Sequence, residues 1–264
     1  MNKEIRNYKK YSKQAQRQMN KADRRAEYLQ IKHQWKTAPK NQRPRQYSNS
    51  YLHRWNIHEE IANSITHGIG MLLGIIALVL MIVDASKHHS TAGVVSGAIF
   101  GSSLIIAYIS STLYHAIFYP PAKKVFKILD HSSIFLLIAG TYTPFCLITL
   151  HGTLGWTLFG IVWSLALIGI VLKIFFVNDF EMLSTIIYLG MGWLAITVVF
   201  QLLHALPWAG CLWLLAGGLA YTFGVIFFVL ERIPFFHTVW HVFVLVGSLC
   251  HFFAILFYVM PITV

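Results

Sequence analysis

The sequence predicts an all-α integral membrane protein of seven transmembrane helices, with the N terminus cytoplasmic and the C terminus outside. Three observations lead there. Hydrophobic residues make up 56% of the chain and charged residues only 12%, a balance no soluble globule keeps. Apolar runs of about 20 residues recur from Ile61 onward, each long enough at 1.5 Å per residue to cross about 30 Å of hydrocarbon. Charge is concentrated ahead of those runs: 15 of the 21 Lys and Arg residues lie within 1–54, against only Glu4, Asp23 and Glu27.

Residues 1–54 therefore carry a net charge of about +12, while the remaining 210 residues are close to neutral. Rich in Lys, Arg, Gln and Tyr and broken by Pro39 and Pro44, this tail is predicted to be a disordered or partly helical cytoplasmic arm. Because it abuts a membrane domain, covering 55–264, its expected partners are anionic lipid headgroups, and no nucleic acid is expected. A cleavable signal peptide is not expected, since the first apolar run follows a long charged stretch. Cys146, Cys211 and Cys250 are odd in number and far apart, which fits neither a disulfide framework nor a thiolate metal site.

The spans are predicted near 60–83, 92–118, 129–150, 154–176, 183–203, 209–230 and 236–260. Short connections join them, including Asp84 to Ser90, Tyr119 to Lys127, Asn178 to Glu181 and Glu231 to Pro234. Trp55, Tyr119, Trp156, Trp208 and Tyr258 fall near the boundaries, where amphipathic rings lie. Orientation follows from the basic residues: Lys123, Lys124, Lys127, Lys173 and Arg232 fall on the side of the tail, and Lys87 alone on the other. The expected location is a cell membrane, crossed several times. Gly70-x-x-x-Gly74 and Gly97-x-x-x-Gly101 are candidates for close helix contacts.

Ionisable side chains inside a bilayer are costly, so each needs a partner or a task. Here they gather at one depth. Glu60, Asn63 and His67 lie at the inner start of span 1, Ser111 and His115 at the inner end of span 2. Asp130 and His131 lie at the inner start of span 3, and His237 and His241 at that of span 7. His237 and His241, four residues apart, project from one helix face about 6 Å from each other, which suits two imidazoles on one metal. His115 supplies a third nitrogen. Three histidines leave an open position, the pattern of a catalytic zinc, but Thr238, Val239 and Trp240 replace the HExxH carboxylate, so any general base comes from elsewhere. Asp130 is the candidate, with Ser111, one turn before His115, orienting water or a substrate carbonyl.

Each residue also has a plainer reading. An HxxxH pair on an apolar helix fits hydrogen-bonded interfacial histidines, and only the coincidence of depth across three spans favours metal. Glu60 and Asn63 are expected to cap span 1 or bond between helices, and His67 to hydrogen-bond a neighbouring helix or support the site. His131 reads as an interface residue. His251 lies roughly 15 Å beyond His241 along the helix and is expected as a buried hydrogen-bonding residue. His33, His53, His88, His89 and Asp84 read as surface positions.

Taken together, Glu60-x-x-Asn63 with Thr66-His67-Gly68, Ser111-x-x-x-His115, Asp130 in ILDHSSIFLLIAGTYTPF, and His237-x-x-x-His241 before FVLVGSLCHF resemble the haemolysin III family, over about residues 54–262. That family belongs to the progestin and adipoQ receptor group, which includes the adiponectin receptors. The resemblance implies a seven-helix fold inverted relative to G-protein-coupled receptors, with zinc near the cytoplasmic side held by His115, His237 and His241, and with Asp130 and Ser111 beside it. It also implies candidate activities: hydrolysis of a lipid amide or ester in the manner of ceramidases, membrane lysis as the family name suggests, or lipid sensing in membrane homeostasis. The long basic arm departs from the short bacterial members. Membrane lipids within the helix bundle are the expected partners; the residues do not specify an oligomeric state.

Overall fold

The computed structural model describes residues 57–177 and 179–261, so the basic arm, with His33, His53 and Trp55, and the connection residue Asn178 lie outside the described residues. Among the described residues there are no strands, and seven helices are long and apolar enough to cross a membrane. They are α1 (Ile57–Lys87), α2 (Thr91–Ala116), α3 (Pro121–Leu150), α4 (Gly152–Phe176), α5 (Glu181–Ala205), α6 (Trp208–Val229) and α7 (Phe236–Val259).

All seven coincide with the predicted spans, and the differences lie at the ends. The connection predicted from Tyr119 to Lys127 is mostly helix, because helical conformation begins at a proline pair. Proline suits a first turn, where no backbone N–H is needed and its fixed φ is already helical. Lys123, Lys124 and Lys127 thus stand on the first turns of α3 rather than in a loop. Likewise α1 runs on through Asp84 to Lys87. The turn into α2 is closed by Ser90, whose Oγ accepts the Gly93 N–H at 3.0 Å.

Regular α-helix also gives way inside three spans. Residues Phe145–Leu150, after Pro144, and Ile255–Val259 are π-helical, and Trp193–Val198 in α5 is a 3-10 segment. The break in α5 has an identifiable cause. Tyr142 of α3 donates its hydroxyl hydrogen to the Gly192 carbonyl and accepts the Ala195 N–H, both at 2.8 Å, so a side chain from another helix stands in for the local ladder.

Glycines set how closely the helices approach. A Cβ at Gly101 would lie 2.8 Å from the Leu78 backbone and one at Gly97 3.0 Å from Met81, while Gly70 receives Tyr108 and Leu245 and Gly74 receives Leu104. Both predicted glycine pairs therefore work at the α1–α2 contact. Around the rest of the bundle Gly140 admits Ser103, Gly169 admits Phe135, and Gly224 admits Trp240. The core centres on α3 and includes Phe100, Phe135, Ile148 and Ile255. In its most apolar stretch α3 is 67% buried, whereas α5 and α6 are each 17% buried, so the latter two helices form a loose wall.

Candidate metal centre

Because successive helices alternate in direction, the start of α1, the end of α2 and the starts of α3 and α7 share one end of the bundle. His115 stands in the last turn of α2, and His237 and His241 in the first turns of α7. One candidate ligand atom from each of the three lies within 4.8 Å of the others. Their ring centroids are 5.2, 5.0 and 4.7 Å apart, and His115 and His241 are almost fully buried. Ligand nitrogens about 2.0–2.1 Å from a tetrahedral zinc stand roughly 3.4 Å apart, so the three side chains as they stand are spaced somewhat wider than ligands on a bound ion.

The strongest observation is how the three rings are turned. His115 Nδ1 is 3.1 Å from Glu60 Oε2, His237 Nδ1 is 3.4 Å from Glu231 Oε2, and His241 Nδ1 is 3.3 Å from the Asn63 carbonyl. His115 and His241 thus hydrogen-bond outward through Nδ1, whereas His237 and Glu231 stand at ion-pair distance without hydrogen-bond geometry. An Nδ1–H facing an acceptor fixes the tautomer that leaves Nε2 as a lone-pair donor, the arrangement that supports imidazole ligation of metals. His115 Nε2 is indeed buried without any partner. The donor set therefore fits a borderline metal such as zinc, by chemistry and by an orphaned buried nitrogen.

Glu60 bonds between helices. Its Oε2 also accepts from Lys123 Nζ at 3.0 Å, so one carboxylate ties α1 to α2 and α3. Asn63 joins α1 to α7 twice, through its carbonyl and through the Thr238 hydroxyl bonded to its Oδ1. Asp130 lies outside the three-histidine cluster but interacts electrostatically with His237, Lys127 and Lys123. Ser111 Oγ is buried without a well-formed hydrogen bond and faces the Asp130 carboxylate. The structure thus brings Asp130 and Ser111 beside the cluster from two different helices.

One expectation needs correction. His67, expected to bond a neighbouring helix or to support the site, packs on the site: its ring stacks on His241 with centroids 3.6 Å apart, and both its nitrogens are buried without a well-formed hydrogen bond. His251 is buried as expected, yet its Nδ1 has no hydrogen-bond partner. His131 does lie at an interface, where its carbonyl accepts from the Tyr188 hydroxyl at 2.8 Å. His88 and His89 are exposed as read.

Glu231 is the site residue that sequence reasoning missed. It sits in the turn between α6 and α7, six residues before His237, where a lone acid reads as solvated. The available signal was a carboxylate at the membrane boundary directly preceding a candidate ligand pair. Phe235, in the same turn, has φ of 66°, and this left-handed residue starts the helix that carries both ligands.

Comparison with known proteins agrees with the motifs. A model of the haemolysin-III related family matches residues 55–252. The chain is 54% identical over 205 residues to hemolysin-3 of Bacillus cereus, covering 78% of this chain and 94% of that protein. It is 54% identical over 204 residues to a hemolysin-3 homolog of Bacillus subtilis (strain 168), covering 77% and 96% of the two. A human monocyte to macrophage differentiation factor is similar at 28% identity over 206 residues, 75% of this chain and 83% of the other. Seven membrane-spanning helices, the polar residues drawn to one end of them, and a family match over three quarters of its length make this chain a multi-pass membrane protein of the haemolysin-III related family.

Proposed function

We propose that the protein is a zinc-dependent hydrolase of an amide or ester bond in a membrane lipid, with His115, His237 and His241 as the metal ligands. The observation that carries this reading is the convergence of three histidines from two helices, with one candidate ligand atom of each within 4.8 Å of the others and with His115 and His241 hydrogen-bonded through Nδ1. When bound, zinc supplies Lewis acidity for a carbonyl and for water at the open position. Asp130, facing the cluster from α3, takes the proton from the attacking water and returns it to the leaving amine or alcohol. Ser111, facing the Asp130 carboxylate, orients the water or the reacting carbonyl. Glu60 and Glu231 hold the ligand rings in register, and the surrounding helices exclude bulk water. The basic arm and Lys123, Lys124 and Lys127 support assigning this end to the cytoplasm and the arm to anionic headgroups; a reporter fused after Val264 is then active outside the cell.

The test combines metal analysis with lipid turnover. Purified wild type holds about one zinc per chain and hydrolyses an amide or ester lipid in liposomes. Asp130→Asn keeps the zinc and loses about 10² to 10⁴ in rate, as expected for lost acid–base assistance. Equal turnover by the two proteins removes Asp130 from the chemistry. A wild type that holds zinc and turns over no amide or ester lipid favours a lipid sensor in which the metal is structural.

A second reading has one observation in its favour, the name hemolysin-3 borne by the Bacillus cereus relative. Lysis requires the chain to act on a foreign membrane, and a seven-helix bundle is built to remain in its own. Release of haemoglobin from erythrocytes by purified protein, unchanged in His237→Ala, decides for that reading.

A further inference from the structure

Polar side chains gather at a second place on the end of the bundle that carries the histidine cluster, where the start of α3, the end of α4 and the start of α5 converge. Phe135 of α3 is the floor of this corner. Its ring occupies the space left by Gly169 of α4 and lies 4.5 Å, centroid to centroid, from Tyr188 of α5. One to two turns nearer the helix ends stand Lys127 and His131 on α3, Lys173 on α4 and Glu181 on α5. The Tyr188 hydroxyl donates to the His131 carbonyl at 2.8 Å, and the Thr185 hydroxyl to the Glu181 carbonyl at 2.9 Å, which ties the corner together without involving a charge.

Lys173 lies four residues beyond Gly169, so it leaves α4 on the face that packs on α3. It is 2% exposed and is the one buried Lys or Arg among the described residues. Glu181 attracts it, but that carboxylate is held by Lys127 at 3.4 Å, and Lys127 repels it. Among the described residues Lys173 forms no hydrogen bond and no ion pair, so the ammonium has no counter-ion in contact. Unlike the sealed, unpartnered nitrogens of His67 and His251, its Nζ keeps accessible surface. Protein therefore covers the stem while the charged tip stays open, as in a snorkelling lysine. A cation so placed is costly unless an anion meets it.

The surroundings say what kind of anion. Phe175, Phe176 and Phe180 close this end of α4 and the turn that follows, exposed and in ring contact with one another, an aromatic surface suited to headgroup depth. Leu172 and Ile168, exposed on α4, continue the apolar surface toward the membrane interior. We propose that this corner binds an anionic phospholipid of the adjoining leaflet, its phosphodiester on the Lys173 ammonium and its acyl chains along α4 past Leu172 and Ile168. Basic residues between helices at this depth suit acidic headgroups. A zwitterionic head would bring its own ammonium toward two lysines, which selects a head of net negative charge. The site is separate from the histidine cluster and does not rest on the hydrolase reading.

The experiment uses the purified full chain in detergent micelles with radiolabelled dioleoyl phosphatidylglycerol as the probe. Salt is set at about 1 M, where the screening length is about 3 Å and the exposed charges of the basic arm are masked. The probe binds saturably, and unlabelled phosphatidylglycerol displaces it at about tenfold lower concentration than dioleoyl phosphatidylcholine does, the worth of one charge-assisted hydrogen bond. Lys173→Met keeps an unbranched stem and abolishes that preference. Glu181→Gln removes the competing carboxylate and tightens binding several-fold, a gain that a misfolded chain cannot give. Lys87→Met, at the opposite end of the bundle, leaves both values unchanged. Equal displacement by the two lipids overturns the anionic head, and an unchanged preference in Lys173→Met overturns the anchor. Displacement by millimolar inorganic phosphate overturns the lipid as occupant. Zinc content, measured on the same samples, stays at the wild-type level in every variant, which separates this outcome from that of the hydrolase reading.

Discussion

The two sides of this bundle solve opposite problems with similar sequences. Where α1, α2, α3 and α7 meet, glycines let backbones approach to van der Waals contact, and Glu60, Asn63 and Lys123 tie helices together at one end. Along α5 and α6 the hydropathy is as high, yet few side chains are covered and a cavity remains. In a bilayer apolar composition confers no preference for protein over lipid, so burial follows from shape and from polar pairing. The tight side combines both, whereas α5 and α6 are held at scattered points, by Tyr142 in the break of α5, Tyr188 on His131, Trp193 on Thr222 and Tyr221 on Ser248.

That contrast is open to direct attack, beginning at the polar end. Replacing Glu60 with Gln keeps the shape but weakens the acceptor that orients His115 and pairs with Lys123. Zinc affinity, read by competition with a chelator, falls by roughly 10- to 100-fold, as for other groups that support metal ligands; an unchanged affinity separates Glu60 from the cluster.

Acidification attacks the same end without mutation. Protons compete for the Nε2 lone pairs, and imidazole titrates ordinarily near pH 6.5, so zinc is retained above neutrality and released as the pH falls below about 6. Dialysis across that range followed by metal analysis checks the sign, and retention at pH 5 contradicts ligation by histidine alone.

Packing comes next. Gly101→Leu drives a side chain into the Leu78 backbone and costs about 1–3 kcal/mol or more, seen as a lower midpoint of thermal unfolding in detergent. Tyr142→Phe, on the loose side, removes two hydrogen bonds and costs about 1–3 kcal/mol by the same measurement. The smallest effect belongs to Gly190→Ala in α5, where an added Cβ meets nothing within 4 Å; it is neutral or stabilises by up to about 1 kcal/mol, because alanine favours helix. Equal losses for Gly101→Leu and Gly190→Ala erase the distinction between the two sides.

The spans were legible because crossing length leaves a signal in any apolar window, and the His115, His237 and His241 grouping was legible because alternating helix direction converts sequence position into depth. Helix ends were less so: the proline pair before Lys123 reads as a break, although it starts a helix. The supports of the site were partly hidden. Glu231 lies in a turn, and only the path of that turn brings it to His237. The break in α5 is written in Tyr142, fifty residues earlier, and no local pattern in α5 announces it. The cavity left no trace either, since the windows of α5 and α6 read as apolar as that of α3, and His251 read as satisfied because a partner is the rule for buried imidazoles.

Asn63 gives the bundle an order of assembly. Its side chain and carbonyl are engaged by Thr238 and His241 of the seventh helix, whereas nearby Glu60 takes its partners from the second and third. During synthesis the carboxylate at the start of α1 is satisfied early, while the amide one turn on waits through some 175 residues of chain for α7. Until then the first helix carries an unpaired polar group at the membrane boundary, where insertion machinery or lipid headgroups can hold it. Arrival of α7 engages its Oδ1 and carbonyl, and the same helix brings His237 and His241 to His115, so the last span completes the histidine cluster.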